Sequence, residues 1–292
     1  MAVVTVSEAR QLLPAVNGDG LPVVVMSEEQ KYLFDLKGWI ALPGLLDEAQ
    51  LKSIREHQMR FLYQPEELPP EERDNHGGRS QVLLDAPAVV GVLNEIVSHQ
   101  PLAAEDCYGF RFDHTYTSHR QAGHDNFAPH GGGGLFNFSG NSHLYQMHPG
   151  RIHAGLVRVV WELNEVVAGE GGTLFLSGSH KSAFPRPEAL SGRDSALWET
   201  YSCPAGSAVI FTEALCHTGT RWTNGTRDRL SLFTCYNTVN AKWGKGCPPP
   251  EVIAAMPPLR RTLFRGVWHG MREVPGINKY HDEANTGRFA AG

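Results

Sequence analysis

The sequence lacks the features that mark several large classes of protein. Its 292 residues carry a net charge of only −5, so no basic field indicates a nucleic-acid partner. No apolar run approaches the ~18 residues of a membrane-spanning helix. The N-terminus also has no basic segment followed by an apolar one, as a signal peptide would. We therefore expect a soluble, cytoplasmic protein with neither nucleic acid nor a membrane as its partner.

Cysteine is scarce and irregularly placed. The chain has five cysteines, and none of them is in a Cys-x-x-Cys motif. An odd number of cysteines without a signal peptide favours reduced thiols over a disulfide framework. The sequence also contains no internal repeat and no low-complexity segment. We therefore expect an ordinary globular fold.

The order of the predicted elements indicates an α+β protein. Residues 27–100 are mostly helical, beginning with Ser27 as a helix cap before two glutamates. From about residue 107 to 240, short apolar or alternating runs are separated by Gly, Asn and Pro, which is typical of strands. Helices followed by many short strands favour a single domain, residues 1–292, with an antiparallel sandwich or barrel core. Residues 241–292 would be a C-terminal extension.

The most informative stretch is residues 204–239. It contains one predicted strand, then His217 and a polar loop, and then a second strand that begins at Arg229. Imidazole is a suitable ligand for iron, and a guanidinium group matches a carboxylate in bidentate geometry. This pairing is what a non-haem Fe(II) enzyme that uses 2-oxoglutarate would need. The alternative is an ordinary loop histidine followed by a surface arginine.

Three segments, residues 32–51, 159–181 and 204–232, together resemble the phytanoyl-CoA dioxygenase family in chain order. The resemblance covers roughly residues 31–240 and implies a double-stranded β-helix, or cupin-like jelly roll, that uses Fe(II), 2-oxoglutarate and O2. It also implies that His217 is the distal metal ligand and that Arg229 binds the far carboxylate of 2-oxoglutarate. Arg227 is the alternative for that clamp. Thr173 is expected beside the cosubstrate or, alternatively, as a residue that shapes a strand turn.

The other half of the family's metal site is altered. The family supplies its first histidine and its carboxylate as His-x-Asp or His-x-Glu, but here that motif occurs only at residues 281–283, after the distal region. At the expected place the chain has His130-Gly131-Gly132 and, later, His153-Ala154-Gly155. We favour His130 as the metal ligand because glycines allow close backbone approach to a metal. His153 is either the alternative ligand or a pocket wall that contacts the cosubstrate.

A glycine at residue 132 in place of the carboxylate changes the predicted chemistry. The departure resembles the aliphatic Fe(II)/2-oxoglutarate halogenases, which implies that chloride would take the open position and be transferred to the substrate carbon. We therefore expect a halogenase in which His130, Gly132 and His217 form the catalytic site. One alternative is a hydroxylase that recruits an acid from elsewhere, for example Asp125. Another is a cupin-like binding protein without turnover.

The substrate is less closely defined. Residues 111–158 carry many polar and basic side chains of the kind that line a small-molecule pocket. Basic groups suit a phosphate or carboxylate, so a nucleotide or an amino-acid-like metabolite is expected. The C-terminal extension is expected to pack against the core or to cover its mouth.

Overall fold

The computed structural model describes residues 13–132, 143–184, 186–190, 192–268, and 280 and 281. Helices and an antiparallel sheet together form the core, as predicted for an α+β jelly roll. Within these ranges, none of the helices has the length and apolar character that a bilayer crossing requires. The histidine pair and the arginine clamp predicted from the sequence both lie on this sheet framework.

Three helices of substantial length lie in the N-terminal part, and each begins where local sequence favours it. They are α1 (Glu28–Lys37), α2 (Glu48–Tyr63) and α3 (Pro87–Ile96). The first two begin with a capping box, in which the cap side chain and the residue three positions on satisfy each other's backbone amides. Helix α1 ends at Gly38, whose φ of 83° suits glycine. Two short helices follow the sheet, α4 (Pro250–Ala254) and α5 (Pro258–Arg261).

Eleven strands lie in the described ranges. They are β1 (Trp39–Leu42), β2 (Phe110–Arg120), β3 (Gln146–His148), β4 (Arg151–His153), β5 (Val157–Glu162), β6 (Thr173–Phe175), β7 (Ser207–Thr212), β8 (His217–Gly219), β9 (Arg229–Thr238), β10 (Val267–Trp268) and β11 (Tyr280–His281). The short apolar or alternating runs predicted as strands between about residues 107 and 240 include β2, β5, β6, β7 and β9. The short strand β8 was not predicted, because His217 was assigned to the start of a loop.

The main sheet has five strands in the order β1-β7-β5-β9-β2, with every neighbouring pair antiparallel. Side chains alternate between its two faces. One face packs against the N-terminal helices through residues such as Val159, Trp161 and Leu232. The opposite face, which includes Val160 and Phe233, belongs to a second apolar cluster inside the barrel. The sheet therefore separates a helix-covered exterior from the interior that holds the candidate site.

A smaller layer closes the barrel on its other side. Strands β6 and β8 pair with each other, and His130 adds a backbone bridge to His217 at the start of β8. Phe175 of β6 packs against both Trp39 and Phe211 of the main sheet, with ring centroids 4.9 and 5.1 Å apart. This face-to-face arrangement of two antiparallel layers is that of a jelly roll. It places His130 and β8 across from the inner face of the main sheet.

Candidate metal centre

The backbone fixes His130 beside His217. The amide of His130 donates to the carbonyl of His217 at 3.1 Å, and the amide of His217 donates to the carbonyl of His130 at 2.9 Å. The centroids of the two imidazole rings are 4.2 Å apart. The two histidines named from the sequence are thus brought together, by main-chain bonds that do not depend on either side chain.

The hydrogen bonds of both rings leave Nε2 with a free lone pair. Nδ1 of His217 is 2.8 Å from the carbonyl oxygen of Leu215, and Nδ1 of His130 is 2.9 Å from that of Ala128. A carbonyl oxygen only accepts, so Nδ1 carries the proton in each ring and Nε2 is unprotonated. Nε2 of His217 is also buried and has no hydrogen-bond partner in the described part of the chain. A buried acceptor without a donor fits a metal ion in that place.

A carboxylate completes the group, and it comes from a residue that the sequence analysis did not select. Glu213 directly follows β7, and its side chain is only 6% exposed. One ligand atom from each of Glu213, His130 and His217 lies within 4.8 Å of the others. The Oε2 atom of Glu213 is 3.8 Å from Nε2 of His217. Two imidazoles and one carboxylate are the donor set of the non-haem Fe(II) facial triad.

Burial and the charges around this group favour an ionised Glu213 beside a neutral His217. Burial raises the pKa of Glu213, but Arg158 and the nearby histidines outweigh it and lower that pKa to about 2. Burial, partly offset by Glu213, lowers the pKa of His217 to about 4. At neutral pH the site therefore offers an ionised carboxylate and an unprotonated imidazole, which are the forms that bind a metal.

Gly131 and Gly132 allow the His130 loop to approach the segment that carries Glu213. Both have positive φ, 73° and 72°. A Cβ atom on Gly131 would lie 2.5 Å from the carbonyl oxygen of Leu215, and one on Gly132 would strike the Cβ of Cys216. The amide of Gly132 donates to the carbonyl of Ala214 at 2.8 Å. A side chain at residue 132 would thus meet Cys216, so the expected opening for a halide beside the histidines finds no support at this glycine.

Arg229 lies deeper in the barrel and is already engaged by an internal carboxylate. Its Nε donates to Glu162 at 3.1 Å, and its Nη2 forms a close ion pair with the same carboxylate. The hydroxyl oxygens of Tyr201 and Thr173 lie 3.2 and 3.4 Å from Nη2. Nη1 is buried and without a hydrogen-bond partner among the described residues. The Thr173 hydroxyl thus lies beside the guanidinium of Arg229, which keeps one nitrogen without a partner among the described residues.

A second arginine stands beside the first. Arg120 ends β2 and is the direct cross-strand partner of Arg229. It is 6% exposed and donates to Ser118 at 3.1 Å and to Asn126 at 2.7 Å. Burial and the like charge of Arg229 lower the pKa of Arg120 to about 10. Two buried guanidinium groups against the single carboxylate of Glu162 leave this end of the barrel with an excess of positive charge.

Three residues named as alternatives from the sequence lie elsewhere. His153 belongs to the β3–β4 hairpin, where its electrostatic neighbours are His99 and His148, so it does not line the site of the histidine pair. Asp125 pairs with Arg193 on the surface. Arg227 binds two surface glutamates, at residues 165 and 170, so its guanidinium is not available as a clamp. Ion pairs at the surface and a hairpin register that sequence alone does not reveal account for these differences.

A comparison with protein families identifies a known family. The family described as Phytanoyl-CoA dioxygenase (PhyH) matches residues 34–229, which is more than half of the chain. This range contains Glu213, the histidine pair and Arg229. No curated protein sequence matches the chain significantly.

Solved structures with the same fold include enzymes that bind iron or its substitutes. HygX from Streptomyces hygroscopicus with iron bound is 19% identical, with a TM-score of 0.59 over 75% of this chain and 90% of that chain. HygX with nickel, 2-oxoglutarate and hygromycin B matches 74% of this chain and 89% of that chain, also at 19% identity and a TM-score of 0.59. The α-ketoglutarate-dependent epimerase SnoN from nogalamycin biosynthesis is 15% identical, with a TM-score of 0.51 over 74% and 82% of the two chains. At these identities the likeness is one of fold.

Proposed function

Because the chain belongs to the phytanoyl-CoA dioxygenase family, we propose that it is an Fe(II)- and 2-oxoglutarate-dependent oxygenase. The observation that carries this proposal is the group of His130, Glu213 and His217, whose ligand atoms lie within 4.8 Å of one another. The unpartnered Nε2 of His217 supports it further, because a buried imidazole acceptor needs a partner.

In this proposal the two Nε2 atoms and one oxygen of Glu213 hold the iron. Iron with bound 2-oxoglutarate and O2 supplies the oxidising power to attack an unactivated C–H bond of the substrate. The protein's own part is to hold the three ligands in a fixed arrangement and to fix the tautomer that presents Nε2 of each imidazole to the metal. It does so through the backbone pairing of residues 130 and 217 and through their Nδ1 hydrogen bonds.

The arginine end of the barrel suits the far carboxylate of 2-oxoglutarate. Nη1 of Arg229 has no hydrogen-bond partner in the described part of the chain, and the positive charge of Arg120 lies beside it. The hydroxyls of Thr173 and Tyr201 fix the guanidinium of Arg229 from its other side. Glu162 cancels one of the two positive charges, so a single carboxylate from the cosubstrate would bring this group close to neutrality.

We propose oxygen transfer, typically hydroxylation, as the reaction. Halogenation requires that a halide replace the carboxylate ligand, and the sequence-based argument for it depended on Gly132. Glu213 supplies a carboxylate at the histidine pair, which favours the three-ligand site of an oxygenase over an open halide position. Halogenation by this chain therefore requires that neither oxygen of Glu213 bind the metal, which would then be left to the two histidines.

The proposed substrate is a small metabolite bound over the histidine pair. HygX has been solved with nickel, 2-oxoglutarate and hygromycin B, and SnoN with Fe3+, alpha ketoglutarate and nogalamycin RO, so this fold admits a small-molecule ligand beside the metal and cosubstrate. The nucleotide and amino-acid-like classes expected from the basic residues remain predictions. Products of candidate compounds would be compared by mass, since hydroxylation and chlorination add different masses.

The deciding experiment is anaerobic addition of Fe(II) and 2-oxoglutarate to the apoprotein, followed by visible spectroscopy with and without chloride. The proposal predicts a charge-transfer band that chloride does not alter, and loss of the band in His217→Ala. A band that shifts with chloride would instead support halogenation. If no band forms, the protein would be a binding module without this chemistry, and the proposed function would be wrong.

A further inference from the structure

The carboxylate of Glu213 is shared between the histidine pair and an arginine. Its Oε1 forms a close ion pair with Nε of Arg158, while its Oε2 faces Nε2 of His217 at 3.8 Å. Both side chains are well shielded from solvent, at 13% exposure for Arg158 and 6% for Glu213. One oxygen is therefore occupied by the protein and the other is directed to the candidate metal position.

Arg158 is itself held rigidly. It lies on β5, and its Nη1 donates to the hydroxyl of Tyr116 on β2 at 2.8 Å. Its guanidinium also lies over two aromatic rings, 5.5 Å from the centroid of Tyr116 and 5.8 Å from that of Phe233. Those two rings stack on each other at 4.6 Å and 8°. Three strands thus fix this arginine. Because Arg158 holds Oε1 of Glu213, that oxygen has little freedom to turn towards the metal.

We propose that Arg158 is a positioning residue that restricts Glu213 to a single metal-binding oxygen. This inference rests on the proposed function. An octahedral iron site has six positions, of which three go to the protein, two to 2-oxoglutarate and one to O2. A carboxylate that bound through both oxygens would occupy one of the positions that the cosubstrate needs. By holding Oε1, Arg158 keeps that position open.

Arg158 has a different role from Arg229 and Arg120. Arg229 begins β9 and Arg120 ends β2, near Glu162 at the other end of β5 from Arg158, and the proposed function assigns both of them to the cosubstrate. Arg158 acts on the metal ligand before any cosubstrate binds. Its removal should therefore change the metal site in the absence of 2-oxoglutarate, whereas removal of Arg120 should not.

The test uses Co(II), whose d–d absorption reports its coordination number, on the full chain under anaerobic conditions. In Arg158→Met, both oxygens of Glu213 are free to bind, so we expect a changed Co(II) spectrum without 2-oxoglutarate and Co(II) affinity that is kept or increased. The affinity of the Co(II) form for 2-oxoglutarate should fall about tenfold. Simple structural damage would lower the Co(II) affinity instead, and that result would overturn the inference.

Two control variants sharpen the result. Arg120→Met should weaken 2-oxoglutarate binding while leaving the Co(II) spectrum as in wild type. In a Glu213→Gln background, Arg158→Met should add almost no further change in 2-oxoglutarate affinity, because its effect acts through Glu213. Fully additive effects in this double-mutant cycle would mean that Arg158 contacts the cosubstrate directly, and would overturn the inference.

If Arg158→Met does not fold, Arg158→Lys decides the question. Lysine keeps the charge but lacks the planar fork of donors that contacts Glu213 and the Tyr116 hydroxyl at the same time. We therefore expect a smaller spectral change in the same direction. An unchanged Co(II) spectrum and unchanged 2-oxoglutarate affinity in Arg158→Lys would contradict the inference while leaving the proposed function intact. Failure of the wild-type protein to bind Co(II) at all would contradict the proposed function itself.

Discussion

His130 and His217 are joined by two reciprocal backbone hydrogen bonds, of 3.1 and 2.9 Å between nitrogen and oxygen. Because the main chain makes this link, the two imidazoles are neighbours whether or not a metal is bound. The site is thus preorganised, and metal binding needs no rearrangement of the fold around it. Substitution of a ligand side chain should accordingly alter metal affinity much more than secondary structure.

The first prediction concerns Glu213. Glu213→Gln keeps the size of the side chain but removes its charge, so Fe(II) or Mn(II) affinity should fall by about 100-fold, roughly 2.7 kcal/mol. Isothermal titration under anaerobic conditions measures this change. Asp125→Asn is the matched control, since Asp125 is paired with Arg193 on the surface and should leave the affinity unaltered. Equal affinity in Glu213→Gln and wild type would remove Glu213 from the site.

The second prediction concerns Gly132. An alanine there combines a positive φ with a Cβ placed against Cys216. Gly20 has a similar φ of 76°, but no atom of the described residues lies within 4 Å of its added Cβ. Gly132→Ala should therefore lower the free energy of unfolding by about 1 to 3 kcal/mol more than Gly20→Ala, because crowding adds to strain.

Urea unfolding of the two glycine variants measures this difference. For the same reason, Gly132→Asp should destabilise the protein without supplying a new metal ligand. If Gly132→Asp were as stable as wild type and bound the metal more tightly, then residue 132 would face the metal and the assignment of Glu213 would need revision.

The third prediction concerns the anion end of the barrel. Arg120→Met removes one of the two buried guanidinium groups, so 2-oxoglutarate should bind about tenfold more weakly, a loss of about 1.4 kcal/mol. The change is read from the concentration of 2-oxoglutarate at which the charge-transfer band is half developed. Arg227→Met is the matched control, because Arg227 pairs with surface glutamates and should leave that concentration as it is in wild type.

The fourth prediction concerns pH and a histidine far from the metal site. His76 is completely buried beside Thr234, and burial lowers its pKa to about 3. Its unfolded value is about 6.5, so the unfolded chain binds the extra proton first as pH falls. The contribution of the neutral imidazole to the free energy of unfolding is thus fully present above pH 6.5. It declines by about 1.4 kcal/mol per pH unit as pH falls towards 3.

Urea unfolding of the apoprotein between pH 5 and 6.5 tests this effect of His76. His76→Asn should show a shallower loss of stability on acidification than wild type. His124→Asn, at an exposed position, should keep the wild-type slope. Burial raises the pKa of Asp74 to about 6, which acts in the opposite direction, so the comparison is made between variants and not from the wild-type slope alone. Identical slopes for His76→Asn and wild type would contradict the assignment.

The elements that depend on local chemistry were predictable from the sequence. Ser27 and Gly38 indicate the ends of α1, because a cap side chain and a left-handed glycine act within a few residues. The strands that carry Arg229 and residues 207–212 follow from β-branched and apolar runs. The jelly roll expected from the family resemblance is confirmed by the two-layer sheet.

Glu213 was missed because its role depends on contacts between distant segments. The local signal was a Glu-x-x-x-His spacing from residue 213 to 217, which is common and carries no weight without the His130 loop packed against it. Glu162 was missed for a similar reason, since only the β5–β9 register brings it to Arg229. Conversely, His153 shared the His-x-Gly pattern of His130, and only the fold separates the two.

The most direct test of the account is a crystal structure of the protein grown anaerobically with Mn(II) and 2-oxoglutarate, with the metal located by anomalous scattering. The account predicts one metal bound by Nε2 of His130, Nε2 of His217 and one oxygen of Glu213. A metal bound by the two histidines alone, with chloride or water in the third place and neither oxygen of Glu213 on the metal, would contradict it.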